Sequence, residues 1–353
     1  MLPLTRSLAF RRFATTGALV DGTWTSPWVE PGFEIFEVIP SWTADTPAGS
    51  VVEIWLQART PLGLETGWYA LGRWAYDDDP FRRTSVPGQD DEFALVDTDT
   101  LRASAGLVAY RLRVVHGRVE DAEAPTVRTI AAIASSRGSA VVPMSAPGVA
   151  AGLELSVPSY AQTIHADEYP EYAGGGASWC SPASTAMVIA FWGTGPTADD
   201  LAWVDPALPD PWVAYAARHT YDLAYDGTGN WPFNTAYAAC FGLDAFVTRL
   251  ESLALAELFV RAGIPLVLAI AAGPGELEGF LLPQGTNGHL VVVRGFTSEG
   301  DPIVNDPAAE SNAAVRRVYD RGQFERAWLG GSGGIAYVIR GPGIELPSSP
   351  GTW

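Results

Sequence analysis

The chain has 353 residues, enough for two domains, and is 47% hydrophobic against 18% charged, which excludes a disordered chain. Its net charge is −18 and every basic residue is an arginine, so nucleic acid and anionic membrane are excluded as partners and a Gly-Lys phosphate loop cannot be built. Two cysteines make no disulfide framework, a single Cys180–Cys240 bridge stays open, and no apolar run reaches the length of a membrane span.

Residues 1–22 read as an extended lead-in with arginines but no continuous apolar core, so no signal peptide is visible. From 23 to 135 the pattern is short strands divided by turns such as TADTPAGS and SVPGQDD: 33–39, 51–59, 68–75, 93–98, 107–116 and 127–134. In 51–59, Val52, Ile54, Leu56 and Ala58 share one face while Glu53, Gln57 and Arg59 share the other. In 107–116, Val108, Tyr110, Leu112 and Val114 alternate with Arg111 and Arg113. This period of two marks half-buried antiparallel strands and predicts an all-β sandwich, jelly-roll-like in its strand spacing. Six tryptophans lie here (Trp24, Trp28, Trp42, Trp55, Trp68 and Trp74). They read first as core, with cell-wall carbohydrate stacking as the alternative. The acidic runs 77–79 and 90–92 read as solvated loops rather than calcium sites.

Residues 136–151, small and Pro- and Gly-containing, read as a linker. An α+β domain is predicted over 152–342, with 343–353 as a C-terminal tail. Its elements are a short strand at 155–160, helices over 183–192, 197–203, 210–220, 235–241 and 253–262, and strands over 265–271, 289–296, 302–304 and 335–340.

The chemistry centres on Cys180, which follows a glycine run and opens the apolar helix. Ser178 or Ser181 is the expected cap, and Pro182 suits the first turn. A helix N-terminus favours an anion, which lowers a thiol pKa. Cys240 falls in WPFNTAYAACFG, where Phe233, Tyr237 and Phe241 recur at helical spacing, so it is expected to be buried and unreactive. A thiol nucleophile needs a base and an orienter. His289 opens the strand HLVVVRGF, and a hairpin centred near Ser298 brings the following PIVNDP back beside it. Position 307 would then face His289, with Asp306 adjacent. Asn305 points to the opposite face and is set aside. Gln162, shortly before Cys180, supplies an amide donor for an oxyanion. His165, beside Asp167 and Glu168, is one histidine among loop carboxylates and too isolated for a metal ligand, and no metal or cofactor is called for. His219 reads as core or surface.

These motifs resemble a known family: the bacterial papain-like cysteine peptidases related to the bacteriocin-leader (double-glycine leader) processing peptidases. VPSYAQ, SWCSPAST, NGHLVVVRGF and PIVNDPAA carry the resemblance, while GNWPFN and YDRGQFERAW are similar to the two-domain actinobacterial members. The resemblance implies a papain-like fold, a peptide or protein substrate, and an extracellular or cell-surface setting. It assigns Cys180 as nucleophile, His289 as base, Asp306 as orienter and Gln162 as oxyanion support. Trp179, Asn230, Trp231 and Gly288, which flank these motifs, are the expected substrate-binding residues. The transporter fusion of the leader processors has no counterpart here, so cleavage at a double-glycine leader is not implied. The alternatives are a cell-wall peptidase or amidase of NlpC-like chemistry, acyl transfer by the same thioester route, or a catalytically retired binding protein. All four motif residues lie past the linker, so the α+β half alone is expected to fold and cleave small peptides.

Overall fold

The computed structural model describes residues 6–15, 22–138 and 144–353; parts of the expected lead-in and linker lie outside these. The N-terminal half is made of antiparallel strands: β1 (Leu8–Ala14), β2 (Thr23–Thr25), β3 (Ile35–Asp45), β4 (Ser50–Arg59), β5 (Glu65–Trp74), β6 (Ala94–Asp97), β7 (Thr100–Leu107), β8 (Ala109–Arg118) and β9 (Thr126–Ser135). They form one sheet in the order β1-β9-β3-β7-β6 and another in the order β2-β8-β4-β5. Val38, Trp42, Ile54, Leu56, Leu71 and Leu112, the inward positions of the period-two pattern, are wholly or almost wholly buried between them. Part of the expected lead-in is a paired strand, since β1 runs antiparallel to β9 with Phe10 opposite Ile133. β7 is also a strand that alternation does not reveal, because TLRASAGL carries few large apolar residues.

The C-terminal half follows with α1 (Cys180–Phe191), α2 (Pro211–Thr220), α3 (Trp231–Ala239), β10 (Asp244–Arg249), α4 (Leu253–Arg261), β11 (Leu266–Ala272), β12 (Thr286–Phe296), β13 (Pro302–Asn305), β14 (Arg316–Val318), α5 (Arg321–Gly331) and β15 (Ile335–Arg340). Its six strands make one antiparallel sheet, β10-β15-β11-β12-β13-β14. Helix α3 starts earlier than expected because Asn230 caps it through Phe233 N–H and Pro232 occupies its first turn. The expected helix at 197–203 is a run of turns. Its capping pair forms, with Asp200 accepting from Thr197 N–H at 2.7 Å, but the Pro-rich DPALPDP that follows stops propagation. Residues 155–160 form no strand, and only Ala151 and Glu154 bridge to β12.

The two halves share one continuous core. Trp42 and Trp74 meet the Phe233 ring of α3 at centroid distances of 6.1 and 5.5 Å, and Phe10 meets Phe246 at 4.9 Å. Polar contacts add to this: Arg12 pairs with Asp244, and Arg249 of β10 pairs with Glu37 of β3 at 2.7 Å. The C-terminal tail is docked as well, with Trp353 packed on Phe259 at 4.7 Å and Gly351 C=O accepting from Phe10 N–H at 2.9 Å. The tryptophans divide by face. Trp42 and Trp74 are core, while Trp28 and Trp68 stay partly exposed and stack with Arg59, Arg111 and Arg113. Among the described residues no helix is long and apolar enough to cross a membrane.

Candidate active site

A 3-10 turn at Gly176–Ser178 runs directly into α1, so neither Ser178 nor Ser181 caps the helix. Trp179 holds the cap position and makes no side-chain capping bond to the helix. Ser181 instead meets Tyr337 Oη at 3.0 Å. The first-turn N–H groups beside Cys180 are left without a side-chain acceptor, which is where an anion is stabilised. Gly176 permits this entry, because a Cβ there would sit 2.5 Å from the carbonyl oxygens of both Gln162 and His165. The close approach draws the Gln162 loop against the start of α1.

The β12–β13 hairpin positions the remaining pair. The observed ladder pairs Val292 with Asn305 and Phe296 with Pro302, with a bulge between Val293 and Gly295. This register differs by one residue from the hairpin centred on Ser298, and one residue exchanges the two faces of a strand. The bulge therefore matters: Asp306, continuing the ladder, falls on the face of Val291 and His289, and Asn305 on the other. His289 Nε2 lies 2.7 Å from Asp306 Oδ1. Asn305 donates to Pro158 C=O at 2.8 Å and accepts from Arg294, away from the histidine. Asp306 is fully buried and further accepts from Tyr319 O–H at Oδ2 (2.8 Å) and from Ala308 N–H at Oδ1 (3.0 Å). The Phe280 ring stands edge-on to the imidazole at 5.9 Å. Neither Tyr319 nor Phe280 is legible as a site residue in the sequence. Tyr319 belongs to the YDRGQFERAW segment, and that was its only signal.

The electrostatics follow from this packing. Cys180 keeps partial exposure, yet the protein around it desolvates the thiol. Burial opposes its ionisation, but hydrogen bonding and charge from His289 and the Leu290 N–H outweigh burial and hold the thiol below its ordinary value. Burial likewise opposes charge on His289. Asp306, by charge and hydrogen bond, together with Cys180, overcomes it and raises the imidazole to about 10. Burial pushes the Asp306 carboxyl up, while His289, Tyr319 and Ala308 hold it below the usual range. The arrangement stabilises a thiolate beside an imidazolium. Cys240, which likewise keeps partial exposure rather than the full burial expected, shows the opposite balance: desolvation by the protein around it, with Asp45 adding to it, pushes its thiol up to about 12. Both cysteines are free thiols.

Cys180, His289, Gln162, Trp231 and Gly288 all line one cleft of about 1220 Å³. Gln162 is nearly buried there. Its Nε2 donates to Ala177 C=O at 2.7 Å, and its Oε1 has no partner. Trp179 and Asn230 sit behind the cleft surface. Trp179 is fully buried, with its indole N–H on Tyr172 C=O at 2.7 Å, and Asn230 bridges the start of α3 to Asp222 at 2.9 Å. His165 is buried against Glu168 at 2.7 Å, and His219 stacks on Tyr215 at 4.0 Å in the core.

Residues 154–334 match the sequence profile described as "Peptidase_C39 like family", and residues 11–135 match that described as "Peptidase C39 N-terminal domain". No curated protein matches the chain. Among solved structures, the SPBc2 prophage-derived protein YomS is 16% identical, with 37% of this chain and 96% of that chain covered, at a TM-score of 0.20. The VP2 subviral particle of infectious bursal disease virus is 10% identical, with 36% of this chain and 32% of that chain covered, at a TM-score of 0.18. Similarities this low carry no argument about fold or function.

Proposed function

The chain belongs to the Peptidase C39-like family, in its two-domain actinobacterial type, and on that premise we propose that it is a cysteine peptidase hydrolysing peptide bonds through Cys180, His289 and Asp306. The observation that carries this reading is the buried His289–Asp306 pair, at 2.7 Å, turned toward a thiol at an uncapped helix N-terminus on an open cleft. Cys180 thiolate attacks the scissile carbonyl carbon. The oxyanion is held by the Cys180 backbone N–H, with the Gln162 amide as second donor. His289 imidazolium passes its proton to the leaving amine, forming the thioester, and water activated by the neutral imidazole then releases the acid. Asp306 keeps His289 oriented and favours its charged form, and Tyr319 and Ala308 fix Asp306 in turn. We read the domain at 152–342 as papain-like and that at 23–135 as a jelly-roll-like sandwich, with 136–151 between them.

A peptide-library digest read by mass spectrometry tests this. Wild type should cleave, and Cys180→Ala should not. Equal cleavage by both would remove Cys180 from the reaction.

A further inference from the structure

The cleft that holds Cys180 and His289 does not end within the C-terminal half. Its lining continues onto the two-residue turn joining β6 to β7, where Asp97, Thr98, Asp99 and Thr100 of the sandwich face the same space. This turn is held to the peptidase half from beneath. Asp99 is nearly buried, and its Oδ2 accepts from Trp231 N–H, at the start of α3, at 2.8 Å. A second sandwich segment grips the adjoining loop, since Ser85 donates to Asp222 from its N–H at 2.8 Å and its hydroxyl at 3.1 Å. That loop reaches the nucleophile: Asn234 donates to Thr228 C=O at 2.9 Å, and Thr228 donates to Ser178 C=O at 3.1 Å, two residues before Cys180. The half-exposed Tyr225 lines the same cleft as Asp99 and Cys180.

The turn is also strained. Thr98 adopts φ 56°, a left-handed conformation in which a β-branched residue is an outlier. Such strain persists only where surrounding contacts over-determine it, and it gathers at ligand-facing sites. Here Asp97 pairs with Arg102 at 3.0 Å and Asp99 is fixed on α3, so Thr98 is held at the cleft surface between two anchored neighbours. At about 1220 Å³ the cleft exceeds the ~300–1,000 Å³ of ordinary small-molecule pockets, and an extended chain advances about 3.3 Å per residue.

We propose that the β6–β7 turn is a substrate subsite, in which Asp97 and Thr98 of the sandwich contact the flank of an extended peptide whose scissile bond lies at Cys180. The sandwich is then part of the substrate-binding surface rather than a tethered docking module. The proposal rests on the peptidase reading above.

The test uses the full chain and two series of peptides built on one cleavable core, lengthened on the N-terminal side or on the C-terminal side. For wild type, kcat/KM should rise with length in one of the two series. Thr98→Gly, which fits the left-handed turn but presents no side chain, and Asp97→Asn should each lower the long-to-short ratio of kcat/KM in that series about tenfold, mainly through KM. A loss that is the same at all lengths, or an unchanged ratio in both variants, would overturn the subsite and leave the peptidase intact. Failure of wild type to cleave any peptide would overturn the peptidase reading and the subsite with it.

Discussion

Asp306→Asn isolates the charge of the orienting residue from its geometry. Asp306 Oδ1 accepts from both His289 Nε2–H and Ala308 N–H, and Oδ2 accepts from Tyr319 O–H. An asparagine with its oxygen at the first position keeps two of these bonds, and Tyr319 can turn its hydroxyl to accept from the new NH2. The imidazole is therefore still held, and only the negative charge is lost. Unit charges roughly 4 Å apart at an effective dielectric of about 20 interact by about 4 kcal/mol, which is about three pKa units. His289 now stands at about 10, raised by Asp306 against burial. The sign follows directly: imidazolium is present below its folded pKa and is lost as pH rises through it. In the wild type the alkaline limb of kcat/KM should thus fall near pH 10, and the acid limb below the ordinary thiol value. In Asp306→Asn the alkaline limb should drop to roughly pH 7, the acid limb should not rise, because the Asp306 charge itself opposes the thiolate, and the peak should fall by up to about 10³. The assay is kcat/KM on a fluorogenic peptide from pH 4 to about 10.5. A variant with wild-type limbs and a merely lower plateau would refute the claim that Asp306 acts through the charge of His289.

Other consequences are open to measurement. Gln162→Ala should leave the fold intact and lower kcat by about 10²–10³, the usual loss for one oxyanion donor, and a fully active variant would remove Gln162 from the site. Tyr319→Phe removes one of the three donors to buried Asp306 and should lower kcat about tenfold without changing KM; an unchanged kcat would show the hydroxyl to be dispensable. Truncation to begin near residue 150 exposes Phe233 and Phe246, each worth about 1.5–3 kcal/mol of burial, and strips Arg249 and Asp222 of their partners Glu37 and Ser85. Against the expectation from the linker, that fragment should be insoluble or inactive on short peptides. A soluble fragment with wild-type kcat/KM would contradict the shared core.

The parts of the fold that the sequence declares are those in which one local signal decides the element. Val52, Ile54 and Leu56 alternate in β4, and the apolar run after Cys180 is a helix because no breaker interrupts it. Elements with weak local signals are not declared by it. β10 and β7 lack a clean alternation, and β14 is only three residues long. The 197–203 helix failed although its capping pair formed, since a cap starts a helix but cannot extend it into a proline-rich run. The site shows the same division. Cys180, His289 and Asp306 were legible through motif and hairpin, but the register that turns Asp306 toward His289 depends on a bulge near Arg294 that no pattern announces. Trp179 and Asn230 are adjacent in sequence to cleft residues, yet each sits at a helix start with its side chain bonded inward, Trp179 to Tyr172 and Asn230 to Asp222 and Phe233. The contribution of Asp97 to Thr100 was invisible because it arises only when two distant halves of the chain pack together.

The activation of Cys180 is tested most directly by timed alkylation with iodoacetamide at about pH 6, followed by peptide mapping. Cys180 is held below the ordinary thiol value by His289, whereas burial pushes Cys240 up to about 12. Cys180 should therefore be labelled much faster than a free thiol and Cys240 left untouched in the folded protein. His289→Ala should slow the Cys180 reaction at that pH, because the imidazolium that stabilises the thiolate is gone. Equal labelling of the two cysteines, or a Cys180 rate no faster than that of a free thiol, would contradict the existence of an activated nucleophile in this chain.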